Sequence, residues 1–336
     1  MYDIIEYKDI NENYILFDLR THEEYDDFHI PGAISLPILD FDERKIVGTL
    51  YDNGEKDLAK SKALDFGSKK ISEIHQQILS HSDKKIVFYC SRGGFRSKTV
   101  SALFFSLGYD VHQLKGGIKY YRSIVNDELP ELLNNISLIT LYGPTGSGKS
   151  NILNIIKNNF PIIDLEMLAN HKGSVLGSIG MGKPNSQKMF EAYLYDLLKN
   201  SNDDEFLIEG ESKRIGDIVL PEILWEKMQI SKKIYINSPI DCRIKRLVES
   251  YASNNPQELL CSIKRIEKYL SKENFQEIVN SLMNHNYEVA AKILCEKYYD
   301  HNYKFKPNND TMIFENEDDA DCANEILNYV IKNTHH

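Results

Sequence analysis

"KKIVFYCSRGGFRSKTV" (84–100) decides the fold of the first third of the chain. The apolar run "KKIVFYC" (84–90) reads as a strand buried on both faces, as parallel sheets produce. "RSKTVSALFFSLG" (96–108) reads as a helix closed by Gly108. Between them lie Ser91, Arg92, Gly93, Gly94 and Phe95, with Arg96 and Ser97 opening the helix. A strand that delivers a cysteine into a glycine loop at a helix N-terminus makes an oxyanion cradle, because loop amides point at whatever sits over the sulfur. The same field lowers the thiol below its reference of ~8.5 and makes a thiolate available near neutrality. Arg92 and Arg96 add forked donors suited to tetrahedral oxyanions. A cysteine that merely ends a core strand is the plainer alternative, but it does not account for two arginines and two glycines beside it.

A second cradle follows. "GPTGSGKS" (143–150) satisfies G-x-x-x-x-G-K-[ST], after the apolar run "SLITLYG" (137–143) and before the helical "KSNILNIIKNN". Gly143, Thr145, Gly146, Ser147, Gly148 and Lys149 would wrap a di- or triphosphate, with Lys149 on terminal oxygens and Ser150 on Mg²⁺. In "EFLIEGE" (205–211), Glu209 ends an apolar strand where a second acid usually supports the metal, and Glu211 is the alternative. "DLEMLANHKGSVLGSIGMGKPNSQ" (164–187), with His171, Lys172 and Lys183, reads as a substrate loop or a surface connection. Arg243 and Arg246, in "SPIDCRIKRL" (238–247), would face phosphates if this segment acts as in nucleotide kinases.

Alternating strands and helices over the first third predict an α/β domain with a mostly parallel sheet, 1–125. "THEEYDDF" is a helix start, capped by Thr21 and Glu24. Residues 124–136 read as a junction, 137–240 as a second α/β core with strands in "FPIIDLE", "EFLIEGE" and "KKIYINS", and 241–333 as helical. The 336 residues carry a net charge of −10, 42% hydrophobic and 27% charged residues, a soluble balance with no global attraction for nucleic acid. The lack of an apolar run of membrane length and of a basic-then-apolar N-terminus predicts a cytoplasmic location. Five scattered cysteines without a CxxC pair argue for a reducing compartment and against a disulfide framework or zinc site.

The first ~125 residues resemble a rhodanese domain, in "FDLRTHEEY" with "HIPGAISLP", the cysteine loop, and "LKGGIKYY". The loop is Cys-x5-Arg from Cys90 to Arg96, one residue longer than in simple sulfurtransferases and like that of rhodanese-like phosphatases. Phe28 stands where rhodaneses usually have a glycine. A rhodanese domain fused to a P-loop domain is similar to the tRNA 2-selenouridine synthases. That resemblance also runs through "ERKIVGTLYDNGEKDLA" (43–59), "DLEMLANHKGS" (164–174), "IEGESKRIG" (208–216, with Arg214) and "YYDHNY" (298–303). Ser91 and Phe95 depart from the family's usual aromatic and methionine.

The resemblance implies replacement of sulfur by selenium at C2 of the wobble uridine in tRNAs that read Lys, Glu and Gln codons. Geranyl diphosphate first alkylates the sulfur, and selenophosphate then supplies selenium. It implies the P-loop as seat of the alkyl donor or of a nucleotide, and Cys90 as the nucleophile toward selenophosphate, forming a selenylsulfide. Lys232, Lys233, Arg243, Lys245 and Arg246 form one candidate basic cluster for tRNA, and Lys264, Arg265, Lys268 and Lys272 another. Tyr269 and Tyr298 are candidate base-stacking residues. The competing readings are a Cys-x5-Arg phosphatase or sulfurtransferase fused to a nucleotide or RNA kinase, and a non-enzymatic nucleotide switch.

Overall fold

The computed structural model describes residues 2–174, 176, 177, 180–251 and 256–334. The chain divides into two compact units, Met1–Leu129 with Glu191–Asp196, and Pro130–Phe190 with Leu197–His336. No helix among the described residues is long and apolar enough to cross a membrane.

The first unit is built on β1 (Ile4–Ile5), β2 (Tyr14–Asp18), β3 (Ile34–Ser35), β4 (Lys85–Tyr89) and β5 (Val111–Leu114). Their order is β1-β5-β4-β2-β3, and every pairing is parallel. Ile86 to Tyr89 are buried in the central strand, so the apolar run is a requirement of its position. Cys90 emerges at the carboxyl edge, where open α/β sheets bind ligands. Helices α1 (His22–Asp27), α2 (Phe41–Asp52), α3 (Lys56–Ser68), α4 (Ile71–Ser80), α5 (Phe95–Ser106) and α6 (Gly117–Asn135) complete the layers. α1 begins with the expected capping box of Thr21 and Glu24. Phe28 keeps an extended backbone at φ −165° as it leaves α1. Its ring is buried near that of Tyr121, so the usual glycine is not needed for this turn. The segment 124–136, expected as a junction, does contain the division between the two units, at Leu129 and Pro130, and α6 runs through it to Asn135. Ile118, Tyr121, Val125, Leu129 and Leu133 are all buried, a helical stripe that continues past Pro130.

The second unit contains a parallel sheet of order β12-β11-β6-β8-β7. Its strands are β6 (Ser137–Tyr142), β7 (Ile162–Ile163), β8 (Glu205–Glu209), β11 (Lys232–Asn237) and β12 (Met312–Glu315), and the antiparallel pair β9 (Arg214–Ile215) and β10 (Ile218–Val219) stands apart. β12 corrects the expectation of an all-helical end. It pairs with β11 from Ile234↔Met312 to Asn237↔Glu315. The helices are α7 (Lys149–Ile156), α8 (Leu165–Ala169), α9 (Gln187–Asn200), α10 (Glu222–Ile230), α11 (Ile240–Tyr251), α12 (Pro256–Lys264), α13 (Lys272–Met283), α14 (Tyr287–Leu294), α15 (Asp300–Asn302) and α16 (Asp319–Thr334). α11 to α14 gather round a core of Ile244, Leu247, Leu259, Ile263, Ile278 and Leu282. α16 instead packs Cys322, Ala323, Ile326 and Val330 on Ile139, Leu141 and Ile236 of the sheet.

Candidate active sites

Cys90 sits at the foot of a cavity of about 910 Å³. Two features shape the loop that holds it. Gly93 takes φ +62°, a left-handed conformation that costs glycine little. A Cβ on Gly117 would collide with the Cys90 carbonyl oxygen, so "LKGG" permits the close approach of α6. The Ile118 amide donates to that carbonyl at 2.9 Å.

Cys90 is 3% exposed, yet the partners of its sulfur are polar. Cys90 Sγ lies 3.2 Å from Ser97 Oγ. Gln113 Nε2 donates to that hydroxyl oxygen at 2.9 Å, which leaves the hydroxyl proton for the sulfur. Burial alone pushes the thiol up. The Ser97 hydroxyl and amide, the Arg96 charge and the Arg92 amide outweigh it, and the thiol is held below its ordinary value. Arg92 is exposed on the cavity rim, while Arg96 is partly buried. Arg96 Nη1 donates to Glu24 Oε2 at 2.8 Å and Nη2 to Ser91 Oγ at 2.8 Å. A residue expected only as a helix cap thus also holds the loop arginine in place.

The phosphate loop follows β6 as expected, and Gly146 and Gly148 take φ +81° and +93°. The Lys149 ammonium donates to the Gly143 carbonyl at 2.8 Å, and the Gly143 amide donates to Tyr303 Oη at 2.7 Å. The loop opens on a second cavity of about 910 Å³, shared with Lys172, Glu211 and Arg246.

Beside it stands a carboxylate group that the sequence showed only in part. Glu166, Glu209 and Glu211 offer oxygens within 4.8 Å of one another. Ser150 Oγ donates to Glu166 Oε2 at 2.9 Å, and buried Glu209 leaves Oε2 without a partner. Burial and the Glu211 charge, opposed by Lys149 and Ser150, push Glu166 up to about 7. Burial raises Glu209 and Glu211 as well. Three crowded carboxylates beside a phosphate-loop serine fit a divalent cation, which would relieve the repulsion and use the orphaned oxygen.

Several expected contacts fall elsewhere. Arg243 does not line the phosphate-loop cleft, whereas Arg246 does. Arg243 Nε donates to the Thr145 carbonyl at 2.9 Å and its guanidinium grips Asp300 at 3.0 and 2.6 Å. Arg246 donates to the Gly146 carbonyl at 3.3 Å and pairs with Asp319. The physical reason is the loop itself: with amides turned inward, the carbonyls turn out and attract cations on the outer side. Asn316 Nδ2 joins them on the Ser147 carbonyl at 2.8 Å.

The first basic cluster also divides. Lys232 and Lys233 start β11, whose other end leads to α11, roughly 17 Å away along the strand. Their ammonium groups bond the Asn333 and Gln229 carbonyls. Lys245, Lys264, Arg265, Lys268 and Lys272 are exposed. The Lys268 ammonium lies 4.9 Å over the Tyr269 ring, and Tyr269 and Tyr298 are 6.2 Å apart. Arg214 is exposed on β9 and does not line the cleft. His171 packs near Gly216, and burial lowers its affinity for a proton. Of the expected substrate loop 164–187, Val175, Ser178 and Ile179 lie outside the described residues. Asn170 Nδ2 bonds the Met181 and Lys183 carbonyls, both at 2.8 Å.

Comparison with known proteins bears on both cradles. A family model of the rhodanese-like domain matches residues 4–123, and one of the tRNA 2-selenouridine synthase AAA domain matches residues 136–334. The chain belongs to the tRNA 2-selenouridine synthase family. It is an enzyme of that family, as the resemblance implied. A tRNA 2-selenouridine synthase of Nitrosomonas europaea is 32% identical over 248 residues, 72% of this chain and 64% of the relative. One from Nitrosomonas eutropha is 28% identical, covering 80% of this chain and 79% of the relative. One from a Sulfurovum species is 29% identical, covering 87% and 88%.

The stretches that carried the family resemblance now have structural roles. "DLEMLANHKGS" brings Glu166 and Lys172 to the phosphate-loop cleft, and "IEGESKRIG" brings Glu209 and Glu211 to the carboxylate group. "YYDHNY" contributes Asp300 and Tyr303, which hold Arg243 and the Gly143 amide. "ERKIVGTLYDNGEKDLA" forms α2 and the start of α3, on the wall of the Cys90 cavity.

Proposed function

We propose that this chain converts wobble 2-thiouridine of tRNA into 2-selenouridine, using geranyl diphosphate and then selenophosphate, with tRNAs reading Lys, Glu and Gln codons as acceptors. The observation that carries the reading is the Cys90 loop, with the sulfur against the Ser97 hydroxyl, in a chain that also holds a complete phosphate loop. A bare thiocarbonyl resists exchange, because its sulfur leaves poorly. Alkylation makes C2 more electrophilic and turns the sulfur into a thiol leaving group.

In the first step the thiocarbonyl sulfur forms a bond to C1 of the geranyl group as the C1–O bond breaks. N3 gives up its proton, and diphosphate leaves. Lys149 and the amides of the phosphate loop take up charge on the departing diphosphate. Ser150 and Glu209, with Glu166 and Glu211, would hold Mg²⁺, which supplies further positive charge at those oxygens.

In the second step the Cys90 thiolate attacks phosphorus of selenophosphate. The P–Se bond breaks and hydroselenide leaves, a weak base that needs no acid. Hydroselenide then adds at C2, and geranylthiol departs with a proton. Water splits the S–P bond, which restores Cys90 and releases phosphate. The selenylsulfide implied by the resemblance does not balance with phosphate as product: attack on selenium would leave the P–Se electron pair on phosphorus and release phosphite. The loop amides, Arg92 and Arg96 suit the phosphoryl group, and the Cys-x5-Arg spacing matches that of phosphatases.

Donor omission tests the sequence of steps. Thiolated tRNA incubated with the enzyme and geranyl diphosphate alone should yield only the S-geranylated nucleoside. Selenophosphate alone should change nothing, and both together should yield 2-selenouridine. Formation of 2-selenouridine without geranyl diphosphate would exclude alkylation as a required step.

A further inference from the structure

The cavity over Cys90 is larger and more apolar than a tetrahedral anion requires. Its volume of about 910 Å³ lies at the upper end of the ~300–1,000 Å³ of small-molecule pockets. Arg92 and Arg96 of the cysteine loop, Lys119 of α6 and Arg44 of α2 make its lining partly cationic. The rest is walled by Val47 and Tyr51 of α2, Leu64 of α3, and Phe95 and Leu103 of α5. Leu64 is 56% exposed and Phe95 39%. Large apolar side chains left in water beside a nucleophile mark a surface that a ligand covers. Selenophosphate, small and fully hydrated, has no use for that wall.

We propose that this apolar wall seats the ten-carbon isoprenoid of the S-geranylated wobble nucleoside during selenation. The assignment rests on the two-step reading above and names where its intermediate is recognised. A tail lying along α2 and α3 brings the thioether sulfur and C2 to the cavity mouth. There hydroselenide leaves phosphorus as Cys90 attacks it, so release and capture occur in one enclosure shielded from water. The isoprenoid could also arrive as geranyl diphosphate, with its diphosphate on the arginines of the cysteine loop. The intermediate is the assigned occupant because the sulfur at the cavity foot serves the second step.

Gly48 provides the test. It lies within α2 and lines the cavity, and a Cβ there would meet only Arg44 Nη1, at 3.5 Å. Gly48→Phe therefore fills the apolar space without backbone strain, and it removes a glycine from a helix interior. Single-turnover selenation is measured on purified S-geranylated and S-methylated tRNA, and geranylation on thiolated tRNA. The variant is expected to selenate S-geranylated tRNA about tenfold more slowly or worse, with S-methyl selenation and geranylation at the wild-type rate. An unchanged rate on S-geranylated tRNA, or an equal loss on both alkylated tRNAs, overturns the assignment. Loss of geranylation with selenation intact overturns it too and assigns the wall to geranyl diphosphate. If the wild-type enzyme cannot selenate S-geranylated tRNA at all, the two-step reading fails and the assignment with it.

Discussion

Cys90→Ser is expected to lower selenation of S-geranylated tRNA by at least about 10³-fold, the scale on which loss of a nucleophile acts. The same variant should geranylate thiolated tRNA at the wild-type rate. Serine keeps the size of the side chain and its neighbours Ser97 and Gln113, so the cradle survives. What disappears is the group that ionises. A hydroxyl in the same field stays protonated, whereas the thiol is drawn below its ordinary value by the Ser97 hydroxyl, two amides and Arg96 despite burial. The sign follows directly: a lowered thiol raises the thiolate fraction near neutrality, and the thiolate is the reacting form. Nucleoside mass spectrometry reads both halves of the experiment. Loss of geranylation as well would remove the division of labour between the cradles.

Lys149→Ala should give the complementary pattern. Its ammonium sits at the mouth of the phosphate loop, bonded to the Gly143 carbonyl at 2.8 Å, and is free to exchange that carbonyl for a phosphate oxygen. Removing one preorganised charge donor from a leaving group typically costs about 10²–10³-fold. Geranylation should fall by that factor, and selenation of tRNA supplied already geranylated should be unaffected. The substitution also removes a positive charge that opposes the raised carboxyls of Glu166 and Glu211. Equal loss of both half-reactions would contradict separate roles for the two loops.

Both loops were legible because each demands unusual residues at fixed spacing. Glycines at positive φ, a lysine and a hydroxyl define one; a cysteine, two glycines and two arginines define the other. The apolar runs feeding them mark strands buried on both faces. Less legible were residues whose local role hides a distant one. Glu24 reads as the partner of Thr21 in a cap and is one, yet its carboxylate also holds Arg96. Glu166 reads as an ordinary acid in the first turn of α8 but reaches Ser150.

Arg243 and Arg246 illustrate a different limit. Sequence brings both near phosphate chemistry, but only Arg246 lines the cleft, while Arg243 is held by the Thr145 carbonyl and Asp300. β12 was hidden because it is a four-residue strand at a sheet edge, and its apolar run, Met312 to Phe314, is too short to stand out from the helical segments before and after it. The helical second half of α6 was masked by Pro130 and its asparagines, although Val125, Leu129 and Leu133 keep helical spacing.

The sulfur of Cys90 acting on phosphorus is the chemical centre of this account, and the phosphorus-containing product reports on it. Phosphorus-31 NMR of a complete reaction, run in ¹⁸O-labelled water, identifies that product. One phosphate carrying a single oxygen from water for each 2-selenouridine formed is the result expected. Phosphite in its stead would mean that Cys90 takes selenium itself, and the route through an S-phosphorylated cysteine would be wrong.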